Sequence, residues 1–159
     1  MSDPPGFDCS RTALDKGVTL LEASAGTGKT YALARIFLRL VAEEGVEVAG
    51  ILTVTFTTAA TEELRDRIRS LLVEALHALR EEAKEGEDET IARLRSLEGV
   101  SVDECIRRIS LAVTCFDEAV INTIHGFCNH VLRENSFETE TLFEAELDQS
   151  MLFSRRRAA

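Results

Sequence analysis

Residues 23–30 read Ala-Ser-Ala-Gly-Thr-Gly-Lys-Thr and stand between an apolar run and a stretch with helical spacing. The glycines allow backbone conformations that a Cβ would forbid, so several N–H groups can converge on one anion. The positive end of the following helix points toward the same anion. A loop of this kind between a strand and a helix is the Walker A phosphate-binding motif. The sequence therefore predicts a strand, a phosphate loop and a helix in that order.

The loop predicts ATP and Mg²⁺ as cofactors, and all eight of its residues are candidate nucleotide ligands. These are Ala23, Ser24, Ala25, Gly26, Thr27, Gly28, Lys29 and Thr30. The last two are the candidate catalytic residues, because Lys29 is expected to bind the β and γ phosphates and the Thr30 hydroxyl to bind Mg²⁺. Ala23 stands where the motif usually has its first glycine.

Apolar periodicity predicts strands alternating with helices along the chain. The predicted strands are 18–22, 51–56 and 119–124, and the first is expected to be buried. The first predicted helix runs from about residue 31 to a stop at Gly45. Four further helices are predicted at 59–83, 91–97, 102–116 and 125–134. This alternation indicates βαβ units in a parallel sheet of the α/β class. Ligands of such sheets bind beyond the carboxyl ends of the strands.

Composition restricts the function classes. A net charge of −10 argues against a general polyanion binder, although much of the excess lies in the acidic run 81–89. No apolar run approaches the roughly 20 residues of a membrane span, and the start lacks the features of a signal peptide, so a cytoplasmic protein is expected. The cysteines have no metal-like spacing and are expected to be buried or half-buried free thiols: Cys9, Cys105, Cys115 and Cys128.

Three segments that follow predicted strands resemble, in order, motifs of the UvrD-like superfamily 1 DNA helicases. The phosphate loop resembles motif I, residues 55–68 resemble motif Ia, and residues 122–128 resemble the Thr-x-His-x-Phe segment. The sequence Thr-Ile-His-Gly-Phe-Cys at residues 123–128 is most similar to the RecB-like branch of that family. The resemblance covers roughly residues 7–147. Thr58 departs from it, because UvrD itself usually has Asn there.

The resemblance implies a P-loop NTPase fold with a RecA-like parallel sheet, present here as an incomplete first motor domain. Residues 1–136 would form the ATP-binding domain, with a helical insertion around 84–118. Residues 137–159 would begin a helical subdomain or form a disordered tail. The implied activity is ATP-dependent translocation and unwinding of DNA in recombinational repair. The implied partners are single-stranded DNA and the other subunits of a helicase–nuclease complex, with no membrane.

Carried over position by position, the resemblance assigns single-stranded DNA contacts to Phe56, Thr57, Thr123 and His125. An aromatic ring can stack on any base, and hydroxyl or imidazole groups can hydrogen-bond phosphates without reading sequence. Each assignment has a structural alternative: Phe56 could belong to the core, and a lone histidine such as His125 is more often structural. Phe127 is expected in the core.

Hydrolysis needs an acidic Walker B strand and arginines from a second motor domain. No Asp-Glu pair follows an apolar strand run, since Asp117-Glu118 precedes its strand and Asp103-Glu104 opens a helix. The chain therefore resembles the first part of a larger protein, for which weak nucleotide binding and almost no turnover are expected. A sheet that lacks its later strands has an unpaired edge, so partial compactness or self-association is also expected. The alternatives are a non-enzymatic interaction module, or a small P-loop kinase, whose lid arginines and acceptor carboxylate have no recognisable counterpart.

Overall fold

The computed structural model describes residues 7–14, 16–21, 28–84 and 86–134. Within these ranges the chain forms five α-helices and two β-strands. Their order is α1 (Lys29–Ala42), β1 (Leu52–Thr55), α2 (Thr58–Arg80), α3 (Glu89–Arg95), α4 (Val102–Thr114), β2 (Val120–Thr123) and α5 (Ile124–Glu134). Short 3-10 helices precede the two strands, at Val48–Gly50 and Phe116–Glu118. The α/β class and the helices and strands predicted after residue 28 are confirmed.

Three of the helices begin at a side-chain cap. Thr57, Asp88 and Ser101 stand immediately before α2, α3 and α4, and their side-chain oxygens accept hydrogen bonds from backbone N–H groups two or three residues further on. These groups have no partner inside the helix, so the caps satisfy donors that would otherwise depend on water. The sequence therefore fixes where each of these helices starts.

The two strands pair in parallel, from Leu52 beside Val120 to Thr55 beside Thr123. Helix α2 packs against both strands, and α1, α3 and α4 pack against α2 and one another. Their apolar faces form one core, because helical spacing places the large side chains on a single face of each helix. Its most deeply buried apolar members include Leu38, Leu64, Leu72, Ile91, Leu94, Ile109 and Phe116.

A buried group of charges lies beside this core. Arg39 is 1% exposed, and its Nε and Arg93 Nε donate to Oε1 of Glu43 at 2.8 and 2.9 Å. Arg39 Nη1 also donates to the carbonyl oxygens of Cys9 and Thr12, at 3.0 and 2.7 Å. Burial acts to raise the pKa of Glu43, but the hydrogen bonds from the two arginines outweigh it and hold that pKa below its ordinary value. The cluster fastens the segment before the phosphate loop to α1.

The carboxyl end of α1 is closed by a side chain from α4. Arg108 Nη1 donates to the carbonyl oxygens of Ala42 and Glu43, at 2.9 and 2.7 Å. Gly45 follows with a φ of +69°, and a Cβ there would lie 3.1 Å from Cζ of Arg108. Glycine is therefore required at the predicted helix stop both by the backbone conformation and by the approach of the guanidinium group.

The prediction of a buried strand at 18–22 is wrong for the part that the structure describes. Residues 18–21 have no strand pairing, and the side chains of Val18 and Leu20 are 101% and 82% exposed. A strand needs a neighbouring strand for its backbone groups and a covering layer for its side chains. In the described sheet β1 and β2 pair only with each other, so the apolar residues of 18–21 have neither.

The chain divides after Thr123 into two units, and the described part of the second unit is α5. The predicted region 137–159 lies outside the described residues, so the domain boundary at 136 stays a prediction. Helices α3 and α4 fall within the stretch predicted as an insertion, 84–118. None of the described helices combines the length and the apolar character that crossing a membrane requires.

Candidate functional site

The structure describes the last three residues of the phosphate loop, while residues 22–27 lie outside the described ranges. Gly28 caps α1 with a φ of +85° and a ψ of +21°, which is the left-handed conformation. The nearest atom to a Cβ built at Gly28 is 3.9 Å away, so the backbone and not lack of space requires glycine. Lys29 and Thr30 form the first turn of α1. They therefore lie at the positive end of a helix, where an anion is stabilised.

The donor set at this helix end fits Mg²⁺ held mainly by phosphates and water. Thr30 is half-buried and provides one hydroxyl oxygen, and Mg²⁺ commonly takes only one or two protein ligands beside substrate phosphates. Among the described residues, no three His, Cys, Asp or Glu side chains come together as a metal site. The four cysteines are free thiols; Cys105 is buried and Cys9 and Cys115 are half-buried, as predicted, whereas Cys128 is exposed and the prediction is wrong there.

The first two turns of α1 are tied to α3 through an aromatic and a charged pair. The guanidinium carbon of Arg35 lies 3.2 Å from the centroid of the Tyr31 ring, and the same guanidinium forms an ion pair with Asp88, the cap of α3. Burial raises the pKa of Tyr31, although the nearby Arg35 charge acts to lower it. This contact places α3 against the helix that carries Lys29.

Phe56 follows β1 and is 81% exposed, so the alternative that placed it in the core is wrong. It lies between the last strand residue and Thr57, which is exposed and caps α2 by accepting a hydrogen bond from the N–H of Ala60 at 3.2 Å. Burying an aromatic side chain of this size would be favourable by several kcal/mol on the scale of about 25 cal/mol per Å². An open aromatic ring at the end of a strand is consistent with a stacking surface.

Two threonine hydroxyls that were not among the predicted site residues hold the turn around Phe56. Thr55 Oγ1 lies 2.6 Å from Thr61 Oγ1, and each hydroxyl lies 3.1 Å from the carbonyl oxygen of Thr57. The signal in the sequence was the spacing: Thr61 is four residues after the cap, so its hydroxyl faces back along the first turn. The turn is thus held by polar contacts.

The end of β2 lies beside the end of β1. Thr123 is half-buried and pairs with Thr55 in the parallel register. Adjacent strands are about 4.8 Å apart, so Thr123 lies at the same sheet edge as the Phe56–Thr57 turn. The structure therefore brings together three of the four predicted DNA contacts.

His125 is the second residue of α5 and is exposed. Helix α5 belongs to the second unit, and the structure describes His125 as an exposed residue of that helix. Phe127, expected in the core, is half-buried on the same helix.

Comparison with known proteins gives a consistent picture. RecBCD enzyme subunit RecB of Haemophilus influenzae is 39% identical over 153 residues, which cover 87% of this chain and 12% of that protein. The subunit of the same name from Escherichia coli is 40% identical over 148 residues, covering 86% of this chain and 12% of its own length. The subunit from Mycolicibacterium smegmatis is 44% identical over 119 residues, which cover 72% of this chain and 10% of that protein.

The chain thus spans about an eighth of the length of the first two relatives. The sequence profile of the UvrD/REP helicase N-terminal domain matches residues 9–157. That range contains the phosphate loop, the Phe56 turn and the end of β2. The order of these motifs and the parallel pairing of β1 with β2 agree with the match. The chain belongs to the UvrD/REP helicase family.

Proposed function

We propose that this chain is the ATP-binding, DNA-contacting part of the first motor domain of a RecB-like helicase. The observation that carries the proposal is the exposed Phe56 ring at the same sheet edge as Thr57 and Thr123. Gly28 and the start of α1 support the nucleotide part, because their geometry suits a phosphate group. Family membership joins the two parts into one function.

Nucleotide binding is assigned to residues 23–30, Ala-Ser-Ala-Gly-Thr-Gly-Lys-Thr. Lys29 holds the β and γ phosphates, and the Thr30 hydroxyl is a ligand of Mg²⁺. Bound Mg²⁺ would neutralise phosphate charge and orient the triphosphate. The backbone N–H groups at the start of α1 hold the same anion without a side chain, since the cap is a glycine.

DNA binding is assigned to four residues. Phe56 stacks on a base, while Thr57, Thr123 and His125 hydrogen-bond the phosphate backbone. Such contacts are independent of sequence, as a motor that moves along any strand requires. They are also local, so they act in spite of a net charge of −10.

The parent protein is proposed to translocate on DNA as one subunit of a helicase–nuclease assembly. Residues 1–136 belong to its RecA-like domain, with the insertion at 84–118, and residues 137–159 begin a following segment. Hydrolysis needs a Walker B carboxylate and arginines across the nucleotide cleft. The 159-residue chain by itself is therefore proposed to bind ATP without appreciable turnover.

Nucleotide binding is tested by titrating a fluorescent ATP analogue with Mg²⁺ into the 159-residue chain and its variants. Lys29→Ala is expected to weaken binding about 10- to 100-fold, the effect of losing charge-assisted hydrogen bonds. Lys84→Ala is the matched control, because Lys84 is an exposed lysine paired with Glu81. Equal affinity of wild type and Lys29→Ala would overturn the nucleotide site.

DNA binding is tested with a labelled single-stranded oligonucleotide at several salt concentrations. Phe56→Ala is expected to weaken binding about 5- to 150-fold, corresponding to the 1–3 kcal/mol of one stacked base. Phe56→Tyr should retain the affinity, because the stacking face remains. Leu52→Ala is the control, since Leu52 is an exposed apolar residue at the other end of β1. Equal losses in Phe56→Ala and Leu52→Ala would argue against stacking.

One observation favours a second candidate, a protein-interaction module. Leu52 and Val54 are 48% and 43% exposed and share one face of β1, which gives a row of open apolar residues ending at Phe56. Leu52→Ser would then reduce association in sedimentation velocity experiments. The helicase proposal expects that variant to leave ATP and oligonucleotide affinities unchanged.

A further inference from the structure

The beginning of α2 is hydrogen-bonded to both strands. Its first turn contacts the end of β1 through Thr61, whose hydroxyl meets that of Thr55 at 2.6 Å. Its second turn contacts β2 through Arg65, whose Nη2 donates to the carbonyl oxygen of Ile121 at 3.0 Å. Helix α2 thus holds the carboxyl ends of two neighbouring strands through Thr61 and Arg65.

The contact with β1 is a closed set of three oxygens. The hydroxyls of Thr55 and Thr61 share two protons; one contact joins the two hydroxyls, and each hydroxyl also contacts the carbonyl oxygen of Thr57. One hydroxyl donates to the other, and that second hydroxyl donates to the carbonyl, so every proton has an acceptor. The Thr57 carbonyl also accepts from the N–H of Thr61 at 3.0 Å. The backbone on the carboxyl side of Phe56 is therefore fixed.

The contact with β2 uses a charged donor. Arg65 is half-buried and lies one turn beyond Thr61, on the side of α2 that faces the sheet. Ile121 is 1% exposed and stands two residues before Thr123. Since successive strand residues are about 3.3 Å apart, the guanidinium group holds β2 within roughly 7 Å of its last residue.

We propose that Thr61 and Arg65 are positioning residues of the DNA-contacting edge. They fix the spacing between the Phe56–Thr57 turn and Thr123, so that base stacking and phosphate contacts are made together. The inference rests on the proposed function, and neither residue touches DNA itself. Holding both contact points in place before DNA binds lowers the entropy cost of ordering them on binding.

The matched variants change one contact at a time. Thr61→Val removes the hydroxyl and keeps the shape, and Thr61→Ser restores the hydroxyl. Arg65→Met removes the donor and one positive charge and keeps the apolar stem. Arg67→Met removes the same charge from the same helix, where Arg67 is exposed and pairs only loosely with Glu63, at 3.5 Å.

Binding of a single-stranded oligonucleotide and of the fluorescent ATP analogue is measured for the 159-residue chain and each variant. Thr61→Val and Arg65→Met should each weaken oligonucleotide binding about fivefold, the equivalent of one hydrogen bond, with ATP affinity unchanged. Thr61→Ser should recover the loss, and Arg67→Met should cost less than Arg65→Met.

Amide hydrogen exchange in the free chain gives a readout that does not depend on DNA. Arg65→Met should speed exchange near Thr123, and Thr61→Val should speed it between Thr57 and Ala60, with α4 unaffected. Exchange that rises equally everywhere, or ATP and oligonucleotide affinities that fall in parallel, shows a purely structural role and overturns the inference. If the local exchange responds but the wild-type chain binds no oligonucleotide, the proposed function fails, while the role of α2 in holding the edge stands.

Discussion

The helical region and the sheet region of this chain are built differently. The four helices α1–α4 enclose side chains that are almost completely buried, and a buried charge cluster around Glu43 joins α1 to α3. In the sheet, by contrast, only Ile121 of the eight strand residues is fully buried, while Leu52 and Val54 face solvent. The sheet region depends instead on a few hydrogen bonds from α2.

The difference indicates where stability resides and where binding occurs. Apolar burial supplies most of the favourable free energy of folding, so the helices should dominate resistance to denaturation. The strand ends, which have less burial, carry the proposed contacts of Phe56 and Thr123. Changes in the two regions should therefore have separable effects, on unfolding in one and on ligand binding in the other.

The largest effect is expected at the buried charge cluster. Glu43→Ala should lower the free energy of unfolding by about 3–5 kcal/mol, because it leaves the buried guanidinium of Arg39 without its carboxylate. Urea denaturation of the two proteins measures the difference. Glu44→Ala is the matched control: this neighbouring glutamate is exposed, and its loss should change stability by less than about 0.5 kcal/mol. Similar losses at both positions would remove the distinction between cluster and surface.

A nearly equal effect is expected from the apolar core. Leu72 is fully buried on α2, and Leu72→Ala should cost about 3 kcal/mol through lost transfer energy and a residual cavity. Leu52→Ala, in the sheet, should cost less than about 1 kcal/mol because that side chain is 48% exposed. Both are measured by urea denaturation. A larger loss at Leu52 would reverse the comparison between the two regions.

Acid should weaken the helical region through the same carboxylate. The pKa of Glu43 is lower in the folded chain than its ordinary value of 4.5. Its contribution is therefore complete above about pH 4.5 and is lost as the pH falls through the folded-state pKa. The loss should be smaller than that in Glu43→Ala, since the protonated side chain still fills its space. Unfolding followed from pH 7 to pH 3 should show a decline that is weaker in Glu43→Gln.

The smallest effect is expected at the helix cap beside the strand edge. Thr57→Ala removes the side chain that accepts the N–H of Ala60 and should cost about 1 kcal/mol. Thr57→Ser keeps the oxygen and should retain most of the stability. Thermal unfolding of the two variants compares them directly. A cap effect that exceeded the loss in Leu72→Ala would show that the edge contributes more to folding than its burial indicates.

The sequence predicted the helices well because their signals are local. The apolar spacing within 59–83 placed Leu64, Ile68 and Leu72 on one face, which is the buried face of α2. The capping residues were not recognised, and α3 begins two residues before its predicted start at 91. The parallel pairing of β1 with β2 also followed from the strand–helix alternation. The UvrD-like resemblance rested on motif order, which the profile match over residues 9–157 confirmed.

What sequence could not supply depends on long-range geometry. The run around Val18 and Leu20 has the composition of a buried strand, but burial needs a partner strand that composition cannot provide. Phe56 was ambiguous because it was predicted as the end of a strand, whereas β1 ends at Thr55 and leaves the ring of Phe56 exposed. The contact of Arg65 with Ile121 joins residues 56 positions apart, and nothing in the local pattern of α2 distinguishes Arg65 from Arg67.

Helix α1 is held by polar contacts at its carboxyl end and in its second turn, and this has a mechanical consequence. Arg108 grips the carboxyl end, the ion pair of Arg35 with Asp88 ties the second turn to α3, and Gly28 caps the amino end without a side-chain hydrogen bond. A helix of 14 residues is a stiff rod roughly 21 Å long. A tilt of about 5° at the gripped end would move the other end by about 2 Å. Because the helix is stiff, the packing of α3 and α4 together sets the position of the first turn that carries Lys29.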